Sequence, residues 1–228
     1  MYAREVASRA SSPPGGFAAS RVRWAVLGAA ALLGVGVGAG LILAQSHSKA
    51  KPLPLLGGPA ATWTAGSRPA PAFRLTDENG NALSLAAYRG RNVILTFLDP
   101  LCRNYCPVEA RRLSALERSL PRSSRPAIVA VSVNVYGNAR RYLTEDKSKW
   151  DVTSDWRWGV GTPAKLAAVW RHYDIGVTVT SQKLAGVNVR DVTHTEAAYV
   201  IDAKGDERAL FLLPFRAADV GAALRGLN

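Results

Sequence analysis

One run of residues constrains this chain more than any other: Val93-Ile94-Leu95-Thr96-Phe97-Leu98, followed at once by Asp99-Pro100-Leu101-Cys102-Arg103-Asn104-Tyr105-Cys106-Pro107. The first six residues are rich in β-branched and aromatic side chains and short enough for a strand buried on both faces, while Pro107 suits the first turn of a helix. The run therefore reads as strand, turn, helix. The chain's only 2 cysteines sit on that turn, four positions apart. The unpaired N–H groups at a helix start favour thiolate, and Arg103 adds positive charge, so one of the pair is expected to have a lowered pKa. At this spacing the sulfurs can converge on one metal ion or close a disulfide.

The rest of the chain divides by composition. Residues 1–23 are basic (Arg4, Arg9, Arg21 and Arg23 against Glu5), and Trp24 to Ala44 contains no charged residue. At a helical rise, that uncharged stretch matches about 30 Å of hydrocarbon, which predicts one N-terminal transmembrane helix. The arginines before it place the N-terminus in the cytoplasm and the bulk of the chain outside. Residues 45–69, with Pro52, Pro54, Pro59 and Pro69, read as an extended linker, and 70–228 as the folded domain. The net charge of +12 spreads over these segments. An extracytoplasmic location makes nucleic acid an improbable partner, and the basic surface suits solvent, anionic lipid or an acidic protein.

Within 70–228, Phe73, Leu75, Leu83 and Leu85 flank the turn cluster Asp77–Asn81, which predicts a hairpin before the strand 93–98. Ala110, Leu113, Leu116 and Leu120 give helical spacing up to Pro121, and Ala127–Val133 is a second buried strand. A polar helix follows over 138–148, and Thr162-Pro163 caps another that carries Leu166, Val169, Trp170 and Tyr173. Strand 197–201, the turn Asp202–Asp206, strand 209–213 and helix 216–226 end the chain. Strands separated by helices imply an α/β fold, a mixed sheet flanked by helices, with the cysteines at the C-terminal end of a central strand.

His194 stands just before strand 197–201. If that strand lies beside the strand 93–98, His194 reaches the cysteine turn. Cys102, Cys106 and His194 would then form a set of two thiolates and one imidazole, which suits a copper ion, Cu(I) or Cu(II), better than a closed structural zinc site. His172 and His47 read as exposed. Asp99 reads as the end of its strand, and Trp150, Trp156, Trp158 and Trp170 as packing.

These pieces together resemble the Sco/SenC family of membrane-tethered copper chaperones. The likeness lies in the anchor, the CxxxC-Pro motif after a strand, Val129–Val133, Gly161-Thr162-Pro163, His194 before Tyr199-Val200-Ile201-Asp202, and Lys204-Gly205. The resemblance implies a thioredoxin-like fold and copper bound through the two cysteines and the histidine. It also implies a role in maturing the binuclear copper centre of cytochrome c oxidase, by delivering copper or by reducing the cysteines of that subunit. The partner is then that subunit, or another copper or thiol protein. Where the family commonly carries aspartates around the site, this chain has Arg103 or Asn104, Asn134 and Thr193.

Two other readings stay open. The same sulfurs can serve a thiol–disulfide oxidoreductase, with Cys102 and Cys106 as catalytic residues and no metal. Alternatively, the domain is a tethered binding module without chemistry. The CxxxC spacing, with His194 in place of a proline before strand 197–201, favours metal over a thioredoxin-type reductase.

Overall fold

A strand whose every residue is buried needs a neighbour on each edge and cover on each face, and the two six-residue apolar runs set the architecture accordingly. The computed structural model describes residues 58–153 and 155–227. In chain order it contains β1 (Ala61–Thr62), β2 (Leu75–Thr76), β3 (Ala82–Leu83), β4 (Val93–Leu98), α1 (Tyr105–Ser119), β5 (Ala127–Ser132), α2 (Arg140–Lys149) and β6 (Arg157–Gly159). There follow α3 (Pro163–His172), β7 (Val177–Leu184), β8 (Val187–His194), β9 (Ala197–Ile201), β10 (Glu207–Leu212) and α4 (Ala217–Arg225).

The main sheet has the order β1-β10-β9-β4-β5-β6. β4, β5 and β6 run parallel, joined by crossovers through α1 and α2, while β9 lies antiparallel to β4, and β10 antiparallel to β9. Side chains alternate across the sheet. Ile94, Leu98, Ile128, Ala198 and Val200 face Leu113 and Leu116 of α1, Leu143 of α2, and Val220 and Leu224 of α4. On the opposite face Val93, Leu95, Phe97, Val129, Val131 and Tyr199 pack against Leu166 and Val169 of α3 and against Leu75 and Leu83 of the β2–β3 hairpin. The mixed sheet flanked by helices is the expected α/β architecture. Trp150, Trp156 and Trp158 are buried, and the rings of Trp150 and Trp158 lie 5.4 Å apart, as expected for packing residues.

Three features depart from the sequence reading. Thr62 and its neighbours, read as linker, are bonded into the sheet: β1 pairs with β10, and Gly58 N–H donates to Asp219 at 3.0 Å. β6 is a third parallel strand, of only three residues, too short for periodicity to reveal. The largest departure is the two-stranded ribbon β7–β8, which stands apart from the main sheet. Its strands are mostly exposed, so no buried face imprints an apolar alternation on them. They are joined at Ala185-Gly186, both with positive φ (49° and 82°), the backbone of a tight hairpin turn. The stretch 24–44, expected to span a membrane, lies outside the described residues, as does His47. Among the described residues no helix is long and apolar enough to cross a membrane.

Candidate metal centre

Register brings the site together. β4 pairs with β9 as Val93↔Ile201, Ile94↔Val200, Leu95↔Tyr199 and Thr96↔Ala198, so the end of β4 that releases the cysteine turn lies where β9 begins. Continuing this register carries residue 98 to the level of 196, and 100 to the level of 194. His194 is also the last residue of β8, paired with Val177, so the ribbon fixes its backbone from the other side. On the cysteine side, the Asn104 side chain accepts from Tyr105 N–H at 2.7 Å and caps α1, whose first turn contains Cys106 and Pro107.

Both cysteines are free thiols with different surroundings: Cys106 is fully buried and Cys102 half-buried. Cys106 Sγ accepts the Asp99 N–H at 3.4 Å and lies 3.7 Å from His194 Nε2. Cys102 Sγ accepts the Cys106 N–H at 3.4 Å; when protonated, it donates to Asn104 Oδ1 at 2.9 Å. Hydrogen bonding with the neighbouring Cys106 side chain is the main reason the Cys102 pKa falls from 9.0 to about 6. The same bond, with burial behind it, pushes the Cys106 thiol up. The expected lowered pKa thus falls on Cys102, through its partner's S–H more than through Arg103. The Arg103 guanidinium instead donates to the carbonyls of Cys102 at 2.8 Å and Pro100 at 3.1 Å, and lies 3.5 Å from Asp146.

His194 Nδ1 lies 3.1 Å from the Thr195 carbonyl. A carbonyl only accepts, so Nδ1 carries the proton of the neutral ring and Nε2 presents its lone pair toward Cys106. Glu196 Oε1 lies 3.3 Å from that nitrogen and 3.8 Å from Cys106 Sγ. The ligand atoms of Cys106, His194 and Glu196 lie within 4.8 Å of one another; the Cys102 sulfur is not in that group and meets it through the Cys106 N–H at 3.4 Å. Sequence reasoning missed Glu196. No local signal marks it: residue 196 shares the register level of the last residue of β4 only once β9 is paired with β4.

Behind Glu196 lies Glu109 of α1, completely buried, which accepts from Thr96 Oγ1. Burial raises Glu109 well above the carboxylate range, and the charge of Glu196 adds to this. Burial also raises Glu196 and Asp99. Asp99 does end its strand, and its carboxylate accepts the Leu101 N–H at 2.7 Å. The group opens into a cleft of about 610 Å³ whose walls include Cys102, Arg103, Asn134, Arg190, His194 and Glu196. Arg190 reaches it from β8 and stacks 4.5 Å from the Tyr136 ring centroid. His172 is exposed at the end of α3, as expected.

Known proteins share this arrangement of elements. A model of the SCO1/SenC family matches residues 62–226. The copper-bound ScoI of Bradyrhizobium japonicum superposes with a TM-score of 0.60 at 21% identity, over 70% of this chain and 99% of that one. Copper-bound Sco1 of yeast gives a TM-score of 0.60 at 17% identity, over 70% and 87%. BsSco, a member of the Sco family of cytochrome c oxidase assembly proteins in which a disulfide switch was identified, gives 0.54 at 13%, over 70% and 93%. No curated protein matches the sequence.

Proposed function

Because the chain belongs to the SCO1/SenC family, we propose that it binds copper through Cys102, Cys106 and His194 outside the cytoplasm, held to the membrane by residues 24–44. In this reading copper is cargo. The protein delivers it to the binuclear copper centre of cytochrome c oxidase, or prepares the thiols of that subunit. The observation that carries the proposal is the 3.7 Å approach of Cys106 Sγ to Nε2 of His194, across 88 positions of sequence. Two soft sulfurs and an imidazole whose other nitrogen is already bonded to a carbonyl form a donor set that suits copper. The Cys102 thiolate is available near neutral pH, so a metal ion need displace only the Cys106 proton.

A second reading rests on the same asymmetry. A partly exposed thiolate beside a buried thiol is the arrangement by which Cys102 attacks a partner disulfide and Cys106 resolves the mixed disulfide. The copper-bound relatives weight the choice toward cargo.

The two separate in one experiment. Cu(I)-loaded protein and copper-free reduced protein are each incubated anaerobically with the copper-centre domain of the oxidase subunit, supplied once reduced and once as its disulfide. Delivery predicts copper on the reduced acceptor from loaded protein. Thiol preparation predicts loss of the acceptor disulfide with copper-free protein, and a Cys102–Cys106 disulfide left behind. Neither outcome in either mixture would exclude this acceptor. Recovery of the full chain in the soluble fraction would exclude the anchor.

A further inference from the structure

Counted with Cys102, the group of Cys106, His194 and Glu196 offers one donor more than a copper site of two sulfurs and one nitrogen requires. Nδ1 of His194 is committed to the Thr195 carbonyl, which leaves Nε2 facing Glu196 Oε1 at 3.3 Å, an ion pair when the ring is protonated and two metal-donor atoms when it is not. Cys106 Sγ closes the triangle, 3.7 Å from the nitrogen and 3.8 Å from the oxygen. The carboxylate is also held in place. The His194 and Glu196 side chains are 3% and 18% exposed, and the other Glu196 oxygen is turned inward, where Glu109 meets the carboxyl group.

Resting on the copper reading above, we infer that Glu196 is a fourth donor, one that engages Cu(II) and not Cu(I). Thiolates satisfy Cu(I), which takes few and soft ligands. Cu(II) prefers a four-coordinate tetragonal set that includes harder nitrogen and oxygen donors. A carboxylate oxygen poised next to the imidazole supplies the missing hard donor and one unit of negative charge. Glu196 therefore sets which oxidation state the site holds more tightly, and with it the potential of bound copper.

The test uses the full-length chain in detergent, as wild type, Glu196→Gln and Glu196→Asp. Cu(I) affinity is measured anaerobically by competition with a chromophoric chelator. Cu(II) affinity is measured by competition at matched pH, with the electron paramagnetic resonance spectrum and sulfur-to-copper charge-transfer band of each Cu(II) form. Glu196→Gln keeps the shape and removes the anionic donor. It should weaken Cu(II) at least tenfold and change the resonance parameters, while Cu(I) affinity stays within about twofold; the potential then rises by about 59 mV per tenfold. Glu196→Asp should recover part of the Cu(II) affinity. Unchanged Cu(II) affinity and spectrum in Glu196→Gln would overturn the inference and leave the copper reading intact. An equal loss of both oxidation states would also overturn it, since that marks a disturbed site and not a lost ligand. Failure of the wild type to bind either ion would remove the copper reading itself, and this inference with it.

Discussion

Cys102 should attack disulfides at acidic pH, where an ordinary thiol is inert. Its pKa of about 6, against an ordinary 9.0, makes it about 90% thiolate at pH 7, where an ordinary thiol is about 1% ionised. Nucleophilicity falls with pKa along a Brønsted slope of about 0.4–0.5, so three units cost the thiolate roughly 15–30-fold in intrinsic rate. The net advantage at pH 7 is then only about 3–6-fold. At pH 5 the ionised fractions differ about 900-fold, and the advantage grows to about 30–60-fold. The assay follows loss of reduced protein with a small neutral disulfide between pH 4.5 and 8.5, beside a cysteine peptide. The first attack is rate-limiting, because Cys106 is adjacent to resolve the product. The rate should level off above about pH 6, and Cys106→Ala, which removes the S–H bond to Cys102, should move the break upward. A wild-type rate that climbs tenfold per pH unit through pH 8 would refute the asymmetric pair.

Asp77 and Asp202 each organise a hairpin turn: Asp77 accepts from Asn79 N–H, Asn81 N–H and the Asn81 amide, and Asp202 from Lys204 N–H, Asp206 N–H and Arg208. Burial pulls both carboxyls upward, but these bonds outweigh it and hold each below its ordinary 3.8. Their contribution is complete above about pH 4 and disappears as the pH falls through the lowered folded values, so urea denaturation from pH 2 to 6 should show a shallower acid loss in Asp77→Asn and Asp202→Asn than in wild type. Phe97 is fully buried, with ring centroids 5.7 Å from Tyr173 and 6.3 Å from Tyr199, so Phe97→Ala should cost about 3–5 kcal/mol in the same measurement. Lys147 Nζ bonds Glu78, whose side chain is 3% exposed, at 2.6 Å; Lys147→Ala strands that carboxylate and should cost about 3 kcal/mol, whereas Lys149→Ala, whose surface partner Glu145 stays solvated, should leave the urea midpoint nearly unchanged.

The sequence revealed the parts of this protein in proportion to how deeply they are buried. β4, β5 and β9 are buried at every residue, so their composition alone identified them, and the order of strands and helices gave the parallel crossovers. Pairing of β9 with β4 was conditional at that level, because no local pattern states which strands are neighbours, yet the position of His194 depends on it. The ribbon β7–β8 was invisible for the opposite reason: its strands are held by their own ladder and turn, and most of their side chains face solvent. Glu196 was missed because an acid at a strand start reads as an ordinary solvated residue. Only the fold shows its carboxylate turned inward against His194, Cys106 and Glu109. The helix-start argument anticipated a low-pKa cysteine but not which one, since that depends on Cys106 being buried while Cys102 is half-exposed beside it.

Copper content tests the account most directly. Wild type, Cys102→Ser, Cys106→Ser and His194→Ala are loaded anaerobically with Cu(I), freed of loose metal against a competing chelator, and assayed for copper per chain. The account predicts one copper in the wild type, sharp loss in both cysteine variants and weakened retention in His194→Ala, together with no Cu(I) uptake once Cys102 and Cys106 are oxidised to a disulfide. Equal copper in all four proteins would contradict it.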